Sequence, residues 1–586
     1  MRQWMVAAKK ADFYAIAEKF HVDPVVARII RNREVIGEKN IRIYLGGNLS
    51  DLSDPHQMKD MDRLVEILAQ KIRKQVHIRI IGDYDVDGVT SSHLFLTALR
   101  RVGAKVDVVI PHRIQDGYGL SLHLLQQAKE DGVDTILTCD NGIAAIDEIA
   151  WAKAQKMTVL VTDHHAVPFE EHEGRRTEKK SLADAVVNPH QQDCGYPYKE
   201  LCGAGVAWNV IRVLYENYDM DKREAEDLLD FVAMATVCDV MSLTGENRIL
   251  VKEGLKRIRH TKNIGLQALM QACNVQPENI SAYHFGYVLG PCVNATGRLD
   301  TARHALRLFE TGQETEAEEI ARDLVDLNQE RKELTLQGVE MAKKLCEEGG
   351  YENDPVLVLF LPDVHESIAG LIAGRIREMY NRPVFVLTRG EEGVKGSGRS
   401  TENYSMYENM CGCAELFTKF GGHPMAAGLS LPEENVEKFR RKINENCPLT
   451  VEEVCPDIHI DMAMPVGYAS TELVHQFALL EPFGKDNPSP LFADRNLSIS
   501  RMWVLGKNRN VLRMSVLSEY GQPVPVIFFG DVETLFAYFT EKFGQEEVEN
   551  ALHGRKNRIL FSMVYTAKVD FYQGNENLQL EMKYYR

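Results

Sequence analysis

The sequence has no long apolar run. No stretch approaches the roughly 18 uninterrupted apolar residues that a membrane-spanning helix needs. The N-terminal stretch MRQWMVAAKKADFYAIAEKF carries charges throughout, so it lacks the apolar core of a secretory signal peptide. These two absences predict a cytoplasmic protein with no membrane partner.

Cysteine pairs and a basic excess are also lacking. The chain has 11 cysteines, and the closest two, Cys411 and Cys413, have neither CxxC spacing nor a second pair nearby. Neither a zinc site nor a disulfide framework is therefore predicted. The 85 acidic and 68 basic side chains give a formal charge of −17. This balance argues against a wholly basic nucleic-acid-binding surface, but it permits a local basic groove or an acidic metal cluster.

The composition is that of an ordinary globular protein. With 44% hydrophobic and 26% charged residues, the 586-residue chain has enough apolar side chains for buried cores. Its length predicts about three to five domains. Between residues 74 and 240, apolar strands alternate with amphipathic helices, which predicts an α/β fold with a parallel sheet and helices on both faces. The predicted strands are residues 75–83, 105–112, 133–140 and 157–165.

The rest of the chain divides around this α/β unit, which we place at residues 51–305. Residues 1–50 have the pattern of a helical arm, and residues 306–350 predict a long, solvated connecting helix because they lack proline. Residues 351–450 predict a second, smaller α/β unit. Apolar residues alternate along residues 451–586, which predicts a small β-barrel or sandwich.

The most specific local pattern is the acidic loop Gly-Asp-Tyr-Asp-Val-Asp-Gly at residues 82–88. On extended backbone, Asp83, Asp85 and Asp87 would point to one side of the chain. Three carboxylates this close would repel one another, which indicates a bound cation. A calcium EF-hand can also open on DxDxDG, but it needs Glu at the twelfth loop position, where this chain has Leu94. A strand rather than a helix also precedes the loop, so the EF-hand interpretation fails.

More acidic and imidazole side chains occupy similar places. Asp140 follows one predicted strand, and the run Asp163-His164-His165 follows the next. Asp239 lies in a Cys-Asp-Val-Met stretch. A single Asp at the end of a strand is more often a helix cap. A single His is more often a structural residue that forms hydrogen bonds. Together with the acidic loop, at the ligand-binding edge of one parallel sheet, they predict a site for divalent metal ions. Mixed oxygen and nitrogen ligands suit Mn²⁺, with Mg²⁺ as the alternative.

The order of these motifs is similar to that of the DHH phosphoesterases, in which GDYDVDG, CDNG, TDHH and CDVM follow one another. Downstream, GPCVNATGRL, HESIAGLIAGRI, KGSGRS and GGHPMAAG resemble the RecJ group of DHH enzymes. EPFGKDNPSPLF resembles the start of the oligonucleotide-binding (OB) domain of that group. The resemblance covers the chain from about residue 50 to residue 586. One departure is Cys292, where the pattern GPRxNAxGR has arginine, and it concerns a local contact rather than the metal site.

The resemblance implies an architecture and an activity. The expected architecture is a parallel-sheet DHH domain, a connecting helix, a smaller α/β DHH-associated domain and a C-terminal OB-like β-barrel. The expected activity is 5′→3′ hydrolysis of single-stranded DNA with two metal ions, in recombination and repair. The implied partners are single-stranded DNA and, from the family alone, a single-strand binding protein and a RecQ-type helicase.

The resemblance also assigns metal ligands. The implied ligands of one ion are Asp83, Asp85 and Asp140. The implied ligands of the other ion are Asp87, Asp140, His164 and Asp239. Asp140 would then bridge the two ions. By the same analogy, His165 would face the phosphate, and Asp163 would orient an imidazole.

A pocket for the chain end is implied as well. Arg113, Ser397 and Arg399 match the family's site for a terminal 5′ phosphate, which guanidinium groups bind bidentately. Arg298 matches a contact near the scissile phosphate, and His423, after two glycines, a contact with the nucleic acid. Outside this context, a single arginine would more often form a surface salt bridge, and the glycines would more often form a tight turn.

The β-rich C-terminal region is expected to hold the strand. Aromatic side chains would stack on bases, and basic side chains would contact phosphates. The candidates, each of which has a core or surface role as its alternative, are Trp503, Phe571, Tyr572, Lys507, Arg509 and Arg513.

Two other functions stay open at this point. A DHH phosphodiesterase acting on small molecules or short oligonucleotides would share the acidic motifs, although the shorter enzymes have no counterpart of residues 451–586. A non-catalytic scaffold, like the RecJ-derived helicase subunit of eukaryotic replication, would have lost metal ligands. Every acidic position is present in this chain, which favours an enzyme.

Overall fold

The computed structural model describes residues 3–113, 116–117, 119–172, 175–390, 393–506, 509–572 and 574–586. These residues form two units. The first comprises residues 52–241 and 249–456, and the second comprises residues 3–51, 242–248 and 457–586. No helix within the described ranges is both long enough and apolar enough to cross a bilayer.

The strands and helices follow one another along the whole chain. The strands are β1 (Trp4–Val6), β2 (His77–Ile81), β3 (Lys105–Val109), β4 (Thr135–Cys139), β5 (Thr158–Thr162), β6 (Phe169–His172), β7 (Arg175–Glu178), β8 (Ala185–Val187), β9 (Leu357–Phe360), β10 (Val384–Gly390), β11 (Gly393–Arg399), β12 (Lys419–Gly422), β13 (Ala426–Leu431), β14 (Ile458–Ile460), β15 (Met462–Ala463), β16 (Phe492–Leu505), β17 (Val511–Leu517), β18 (Pro523–Phe529), β19 (Leu560–Tyr572) and β20 (Asn575–Tyr585). The α-helices are α1 (Phe13–Phe20), α2 (Pro24–Asn32), α3 (Glu38–Gly46), α4 (Met61–Arg73), α5 (Val86–Arg101), α6 (Leu122–Glu130), α7 (Ile146–Ala154), α8 (Gly203–Asn217), α9 (Lys222–Glu226), α10 (Leu229–Cys238), α11 (Gly245–Ile258), α12 (Ile264–Ala272), α13 (Ala282–His284), α14 (Gly290–Leu299), α15 (Ala302–Glu310), α16 (Glu314–Glu348), α17 (Glu366–Tyr380), α18 (Met406–Cys411), α19 (Val436–Glu445), α20 (Thr471–Phe477), α21 (Val532–Phe543) and α22 (Gln545–Leu552).

The first sheet of the first unit is parallel, as the strand–helix alternation predicts. Its strand order is β3-β2-β4-β5-β8. The central strands β2, β4 and β5 are rich in Ile, Val, Leu and Thr and are almost wholly buried, which is typical of strands covered on both faces. The sequence did not predict β8, because three residues after an irregular segment are too few to show a period. In the order of the sheet, β4 lies between β2 and β5, so the three strand ends that carry acidic residues are adjacent.

The connecting helix is shorter than predicted and is not solvated all round. Residues 306–310 belong to α15, and α16 begins only at Glu314. The break occurs because Thr311 takes an extended backbone conformation, and its hydroxyl accepts a hydrogen bond from the Gln313 N–H. Several small and apolar residues of α16, such as Ala321 and Leu324, are fully buried. One face of α16 therefore packs into the first unit.

The second α/β part of the first unit is a five-stranded sheet in the order β12-β13-β11-β10-β9. β9 and β10 are parallel, and the other pairs are antiparallel. Helix α17 packs against β10 and β11, and it carries the buried residues Ile368, Ile372 and Ile376. This arrangement places the first turn of α17 beside the residues of β11.

The second unit is built on a closed sheet. The strand order is β15-β16-β17-β18-β20-β19, and β16 also pairs with β19, so the strands from β16 to β20 close into a barrel. Helices α21 and α22 separate β18 from β19, and the alternating pattern did not predict them. The N-terminal helices share the barrel's core, since Val26 and Ile30 belong to the same buried cluster as Phe492 and Met514. In addition, β1 pairs in parallel with β14.

Candidate active site

The acidic loop turns from β2 into α5. Asp85 caps the helix, because its Oδ1 accepts a hydrogen bond of 3.0 Å from the Gly88 N–H. Asp87 therefore lies in the first turn of α5, and the prediction that all three carboxylates lie on extended backbone is wrong beyond Asp85. A Cβ atom at position 88 would lie 2.4 Å from the backbone nitrogen of Asp83. Only glycine lets the loop fold back on itself this tightly.

Asp140 follows the central strand β4 in an unusual backbone conformation. Its φ of +61° lies in the left-handed region, which Asp tolerates better than most residues. The side-chain amide of Asn141 donates to the carbonyls of Ile81 and Cys139 at 3.0 and 2.9 Å, which ties the end of β4 to the end of β2. A Cβ atom at Gly203 would lie 2.6 Å from the Asp140 Cβ, so the helix beginning there packs directly against the carboxylate.

Asp163 orients the imidazole of His165. Its Oδ1 accepts hydrogen bonds from the backbone N–H groups of His164 and His165 and lies 2.8 Å from Nδ1 of His165. Its Oδ2 accepts from the Ile143 N–H at 2.9 Å. Because both carboxylate oxygens of Asp163 are hydrogen-bonded within the protein, this residue has the geometry of a positioning residue rather than of a metal ligand.

The other acidic and imidazole groups converge at the edge of the sheet. Three overlapping sets have potential ligand atoms within 4.8 Å of one another: Asp83, Asp85 and Asp140; Asp87, His164 and Asp239; and Asp140, His164 and His165. Nε2 of His164 lies 3.0 Å from Oδ1 of Asp140. It lies 3.6 Å from Oδ2 of Asp87 and 3.6 Å from Oδ2 of Asp239, which caps the end of α10. Asp140 thus belongs both to the set with Asp83 and Asp85 and to a set with His164.

These residues fit divalent metal ions. Oδ1 of Asp83, Oδ1 of Asp140 and Nε2 of His164 are buried, and in the described parts of the chain they have no hydrogen-bond partner. Buried polar atoms are normally satisfied, so a cation is the simplest group to complete these three. Carboxylate oxygens with an imidazole nitrogen suit Mn²⁺, and a set dominated by oxygen also suits Mg²⁺.

The pKa shifts of these residues also indicate a cation-binding site. Burial, reinforced by the neighbouring carboxylate of Asp85, raises the pKa of Asp83 well above its ordinary value. Burial and then the charges of Asp87 and Asp85 raise the pKa of Asp140 in the same way. Burial lowers the pKa of His164, which leaves its ring neutral and able to act as a ligand. A bound cation would relieve the repulsion among the carboxylates.

Two residues that support this site, Gly203 and Ala204, were missed from the sequence. Their backbone N–H groups, at the start of α8, donate hydrogen bonds of 2.6 and 2.7 Å to the carboxylate of Asp87. A helix N-terminus offers N–H donors to a carboxylate, so the start of α8 fixes the direction of the Asp87 side chain. The small residues of Leu-Cys-Gly-Ala-Gly at positions 201–205, where α8 begins, were the feature that could have indicated this contact.

A cavity of about 430 Å³ lies in the first unit where the acidic loop approaches β11 and α17. Its lining includes Tyr84, Arg113, Ser367, Lys395, Ser397 and Lys419. Arg298 reaches this wall, since its Nη1 donates to the Ser367 carbonyl at 2.7 Å. Arg399 is also close, because a Cβ atom at Gly370 would lie 2.9 Å from its Nη2 and 3.2 Å from the Ser397 Oγ.

The three arginines that are predicted to bind the substrate, Arg113, Arg298 and Arg399, form a cluster of positive charge. Burial, and then the charges of Arg113, Arg331 and Arg399, lower the pKa of Arg298 to about 10. Burial and then Arg113 also lower the pKa of Arg399. Within the part of the chain that the structure describes, none of Arg113, Arg298 and Arg399 forms a salt bridge with a carboxylate. Guanidinium groups held together without a counter-charge form an anion site that suits phosphate.

The predicted site residue His423 does not line this cavity. It occupies the exposed turn between β12 and β13, where its backbone N–H donates to the Ala426 carbonyl at 2.8 Å. Gly421, two residues earlier, does line the cavity. The structure therefore brings this turn to the cavity through its glycine and not through the histidine.

The candidate strand-binding residues belong to the second unit. Trp503 on β16 pairs with Arg513 on β17, while the neighbouring Met502 and Met514 are buried, so Trp503 and Arg513 lie on the outer face of the barrel. Phe571 is 70% exposed, and Arg509 is also exposed. Lys507 and the side chain of Tyr572 lie outside the described residues.

Three family models match this chain. The DHH family N-terminal domain matches residues 77–236, the DHHA1 domain residues 353–447 and the RecJ OB domain residues 460–584. The single-stranded-DNA-specific exonuclease RecJ of Haemophilus influenzae is 32% identical over 581 residues, which cover 96% of each chain. The chain belongs to the RecJ family. The RecJ of Bacillus subtilis is also 32% identical, over 512 residues that cover 87% of this chain and 63% of that longer protein.

A solved RecJ structure has the same fold. The crystal structure of RecJ from Thermus thermophilus in complex with Mn²⁺ superposes with a TM-score of 0.79 at 25% identity. The superposition covers 100% of this chain and 79% of the Thermus chain. The predicted fold class, with a parallel-sheet DHH domain, a smaller α/β domain and a C-terminal OB-like barrel, is confirmed by these matches.

Proposed function

We propose that this protein is a metal-dependent exonuclease that degrades single-stranded DNA from its 5′ end. The observation that carries the proposal is the position of Tyr84. Its sequence neighbours Asp83 and Asp85 belong to the cluster of potential metal ligands, and its ring lies 4.9 Å from the Arg113 guanidinium at the cavity. A strand whose terminal phosphate is held at Arg113 would present a nearby phosphodiester to that cluster. The two relatives at 32% identity, both named single-stranded-DNA-specific exonucleases, support the substrate.

The acidic cluster would hold two metal ions. The proposed ligands of the first are Asp83, Asp85 and Asp140, and those of the second are Asp87, Asp140, His164 and Asp239. When bound, the two ions would acidify a water molecule and stabilise the charge that develops on the phosphodiester. Mn²⁺ is the expected metal, because His164 supplies nitrogen and the related Thermus structure contains Mn²⁺. Mg²⁺ is the alternative.

His165 would bind the phosphate that is cleaved. Burial alone would lower its pKa, but the hydrogen bond and charge of Asp163 outweigh burial and raise the pKa to about 9. In the metal-free protein the ring is therefore protonated at neutral pH. Nδ1 is held by Asp163, and Nε2–H would donate to an oxygen of the substrate. Asp163 is a positioning residue in this proposal, because it acts through His165.

The arginine cluster would hold the end of the chain. Arg113, Ser397 and Arg399 would bind the terminal 5′ phosphate, and Arg298 would contact the phosphate that is cleaved. We propose that His423 contacts the strand beyond the cavity, because its turn is exposed there. A pocket that binds a terminal phosphate explains why cleavage would start at an end and not inside the strand.

The barrel would bind the part of a long DNA strand that extends beyond the active site. The outer face that carries Trp503 and Arg513 offers a base-stacking side chain beside a phosphate-binding one. From the family resemblance, we propose a single-strand binding protein and a RecQ-type helicase as partners, in cytoplasmic DNA recombination and repair.

The test is which end of a single strand is lost first. Single-stranded DNA labelled at the 5′ or the 3′ end is incubated with the full-length protein in Mn²⁺, and again after removal of divalent ions by a chelator. We expect the 5′ label to appear as a mononucleotide from the earliest times, and only with metal. Initial release of the 3′ label, or cleavage inside the strand, would contradict the proposal.

A dinucleotide substrate and a calorimetric titration with Mn²⁺, added to this experiment, separate the two rivals. A small-molecule phosphodiesterase would hydrolyse a dinucleotide far faster than a long strand. A scaffold would show no cleavage in any metal, and calorimetry would detect no binding of Mn²⁺ at the acidic cluster.

A further inference from the structure

Two cysteines lie side by side in the first unit. Cys273 follows α12 as its C-cap, Cys292 lies in α14, and their Sγ atoms are 3.8 Å apart. Cys292 is 1% exposed, whereas Cys273 is only partly buried. A disulfide needs the sulfur atoms at about 2.05 Å, so they must approach by somewhat less than 2 Å. Side-chain rotation and a small helix shift can supply such a movement.

Hydrogen-bond donors and positive charges near Cys292 favour its thiolate over its thiol, which donates to the Val288 carbonyl at 3.3 Å. The side-chain amide of Asn328 donates to its Sγ at 3.4 Å, and Arg331 donates to Oδ1 of Asn328 at 2.8 Å. The hydrogen bond from the Cys273 thiol, and then the donation by Asn328 and the charges of Lys332 and Arg331, outweigh burial and lower the pKa of Cys292. Thiolate, and not thiol, is the form that reacts with oxidants.

The helix that carries Cys292 also supports the acidic loop. Oδ1 of Asn294 accepts a hydrogen bond of 3.2 Å from the N–H of Val86, the residue between two of the proposed ligands. A Cβ atom at Gly297 would lie 2.4 Å from the carbonyl oxygen of Tyr84, so α14 and the loop are in direct contact. A displacement of α14 is therefore transmitted to the loop.

The same helix carries an arginine of the anion site. Arg298 lies in the last turn of α14 and donates to the Ser367 carbonyl. Arg331, which is linked to Cys292 through Asn328, lies close enough for its charge to depress the pKa of Arg298. The acidic loop contacts α14, the helix that carries Cys292, and Arg298 of the arginine cluster belongs to this helix.

We propose that Cys273 and Cys292 are an oxidative modification site, in which a reversible disulfide displaces α14 and lowers the activity of the neighbouring site. The oxidant is a peroxide. The Cys292 thiolate attacks one peroxide oxygen, which breaks the O–O bond, forms a sulfenic acid and releases hydroxide. The Cys273 sulfur, after losing its proton, attacks the sulfur of that sulfenic acid, forms the S–S bond and releases a second hydroxide. The two thiol protons convert both hydroxides to water, and the two electrons lost by the sulfurs reduce the peroxide.

The first experiment detects the bond without reference to activity. The full-length protein is treated with hydrogen peroxide, free thiols are alkylated, and the protein is digested with trypsin. Both cysteines fall on the single tryptic peptide of residues 263–298, which contains no internal Lys or Arg. We expect this peptide to lose two hydrogens and to resist alkylation until a reductant is added. If both cysteines are alkylated as completely after peroxide as before it, the proposal is overturned.

The second experiment connects the bond to the site, and its activity readout rests on the proposed nuclease function. Displacing catalytic groups by about 1 Å costs up to roughly a hundredfold in rate. We therefore expect oxidation to reduce cleavage of single-stranded DNA by on the order of tenfold, with recovery in dithiothreitol. The partly buried Cys273→Ser should cleave like the wild type and should keep its activity in peroxide. The matched control Cys411→Ser removes an exposed thiol and should stay sensitive.

Each outcome is decisive. A disulfide that forms without loss of cleavage overturns the coupling to the site. Loss of cleavage by Cys273→Ser in peroxide, equal to that of the wild type, assigns the sensitivity to other thiols and also overturns it. If the reduced wild type has no nuclease activity, the proposed function fails, while the mass of the peptide still decides whether the disulfide forms.

Discussion

Nε2 of His164 and Oδ1 of Asp140 lie 3.0 Å apart but are not aligned as a hydrogen bond, and neither atom has another hydrogen-bond partner among the described residues. A cation in contact with both would satisfy two buried polar atoms at once. Asp140 also belongs to the set formed with Asp83 and Asp85. This one carboxylate therefore connects the two proposed metal positions, and its replacement is the most direct test of the site.

We expect Asp140→Asn to abolish cleavage, with a loss exceeding about 100-fold, because it removes a ligand shared by both positions. Without metal, the variant should melt at or above the wild-type temperature, because one of several repelling carboxylates is gone. Added Mn²⁺ should raise the melting temperature of the wild type much more than that of the variant. Asp134→Asn, just before the other end of β4, is the matched control and should retain cleavage. Wild-type turnover by a well-folded Asp140→Asn would contradict the bridging role.

The second prediction concerns Arg399 and the choice of chain end. Arg399→Ala should reduce the preference for a 5′-phosphorylated strand over a 5′-hydroxyl strand, measured as the ratio of the two kcat/KM values. A charge-assisted hydrogen bond contributes roughly 1.5–3 kcal/mol, so the preference should fall by about tenfold or more. Arg389→Ala is the control, because Arg389 lies on the neighbouring β10 and pairs with Glu433 at 2.8 Å. An equal loss of kcat/KM on both substrates would show that Arg399 does not bind the terminal phosphate.

The third prediction is a pH dependence of stability that arises away from the acidic cluster. Asp230 is 3% exposed, and burial raises its pKa to about 6, although Thr261 and the Phe231 N–H donate hydrogen bonds to it. Between about pH 4 and pH 6 the folded chain keeps this proton while the unfolded chain has lost it. The free energy of unfolding therefore falls through this range as pH rises, by roughly 3 kcal/mol in total for this group.

Asp230→Asn should remove that dependence. The amide oxygen can still accept from the Phe231 N–H, and no charge is buried at any pH. We expect the variant to match the wild type near pH 4 and to gain stability over it progressively up to about pH 6, as measured by denaturant melts. Wild-type and variant curves that run parallel from pH 4 to pH 7 would contradict a raised pKa at Asp230.

Much of the acidic cluster was predictable from the sequence because parallel strands bring their carboxyl ends to one edge of the sheet. Asp140 and Asp163 follow adjacent strands, and the acidic loop follows the strand beside them. The conformation of the loop was not predictable from spacing alone. The helix-capping tendency of Asp85 outweighs the alternation that three acidic residues at spacing two suggest.

Contacts between segments that are distant in the sequence could not be predicted from any local pattern. The hydrogen bonds from Gly203 to Asp87 and the pairing of Cys273 with Cys292 depend on how helices pack. In the second unit, Trp4 pairs with Ile458, so the N-terminal arm and the barrel form one folded body although they lie at opposite ends of the chain. Sequence periodicity identifies elements, but it does not say which ones will be neighbours.

That shared core determines how the strand-binding role of the barrel must be tested. Deleting residues 457–586 would remove β14, the partner of β1, and would expose the apolar faces of α1 and α2. Such a truncation would test folding together with strand binding. Substitutions on the outer face of the barrel avoid this difficulty, because Trp503 and Arg513 point away from the buried Met502 and Met514.

We expect Trp503→Ala to weaken binding of a long single strand by roughly 1–3 kcal/mol, the contribution of one stacked base. Arg513→Ala should make the dependence of log affinity on log salt shallower by about 0.7, which is the loss of one phosphate contact with a single strand. Both variants should hydrolyse a very short oligonucleotide at the wild-type rate, because the cavity and the acidic cluster lie in the first unit. Arg558→Ala is the control, since Arg558 pairs with Glu547 at 2.7 Å and should bind the long strand normally. If both outer-face variants bind and degrade long strands as the wild type does, this face of the barrel does not bind the strand. A phosphodiesterase that acts on small molecules or short oligonucleotides then becomes the better proposal.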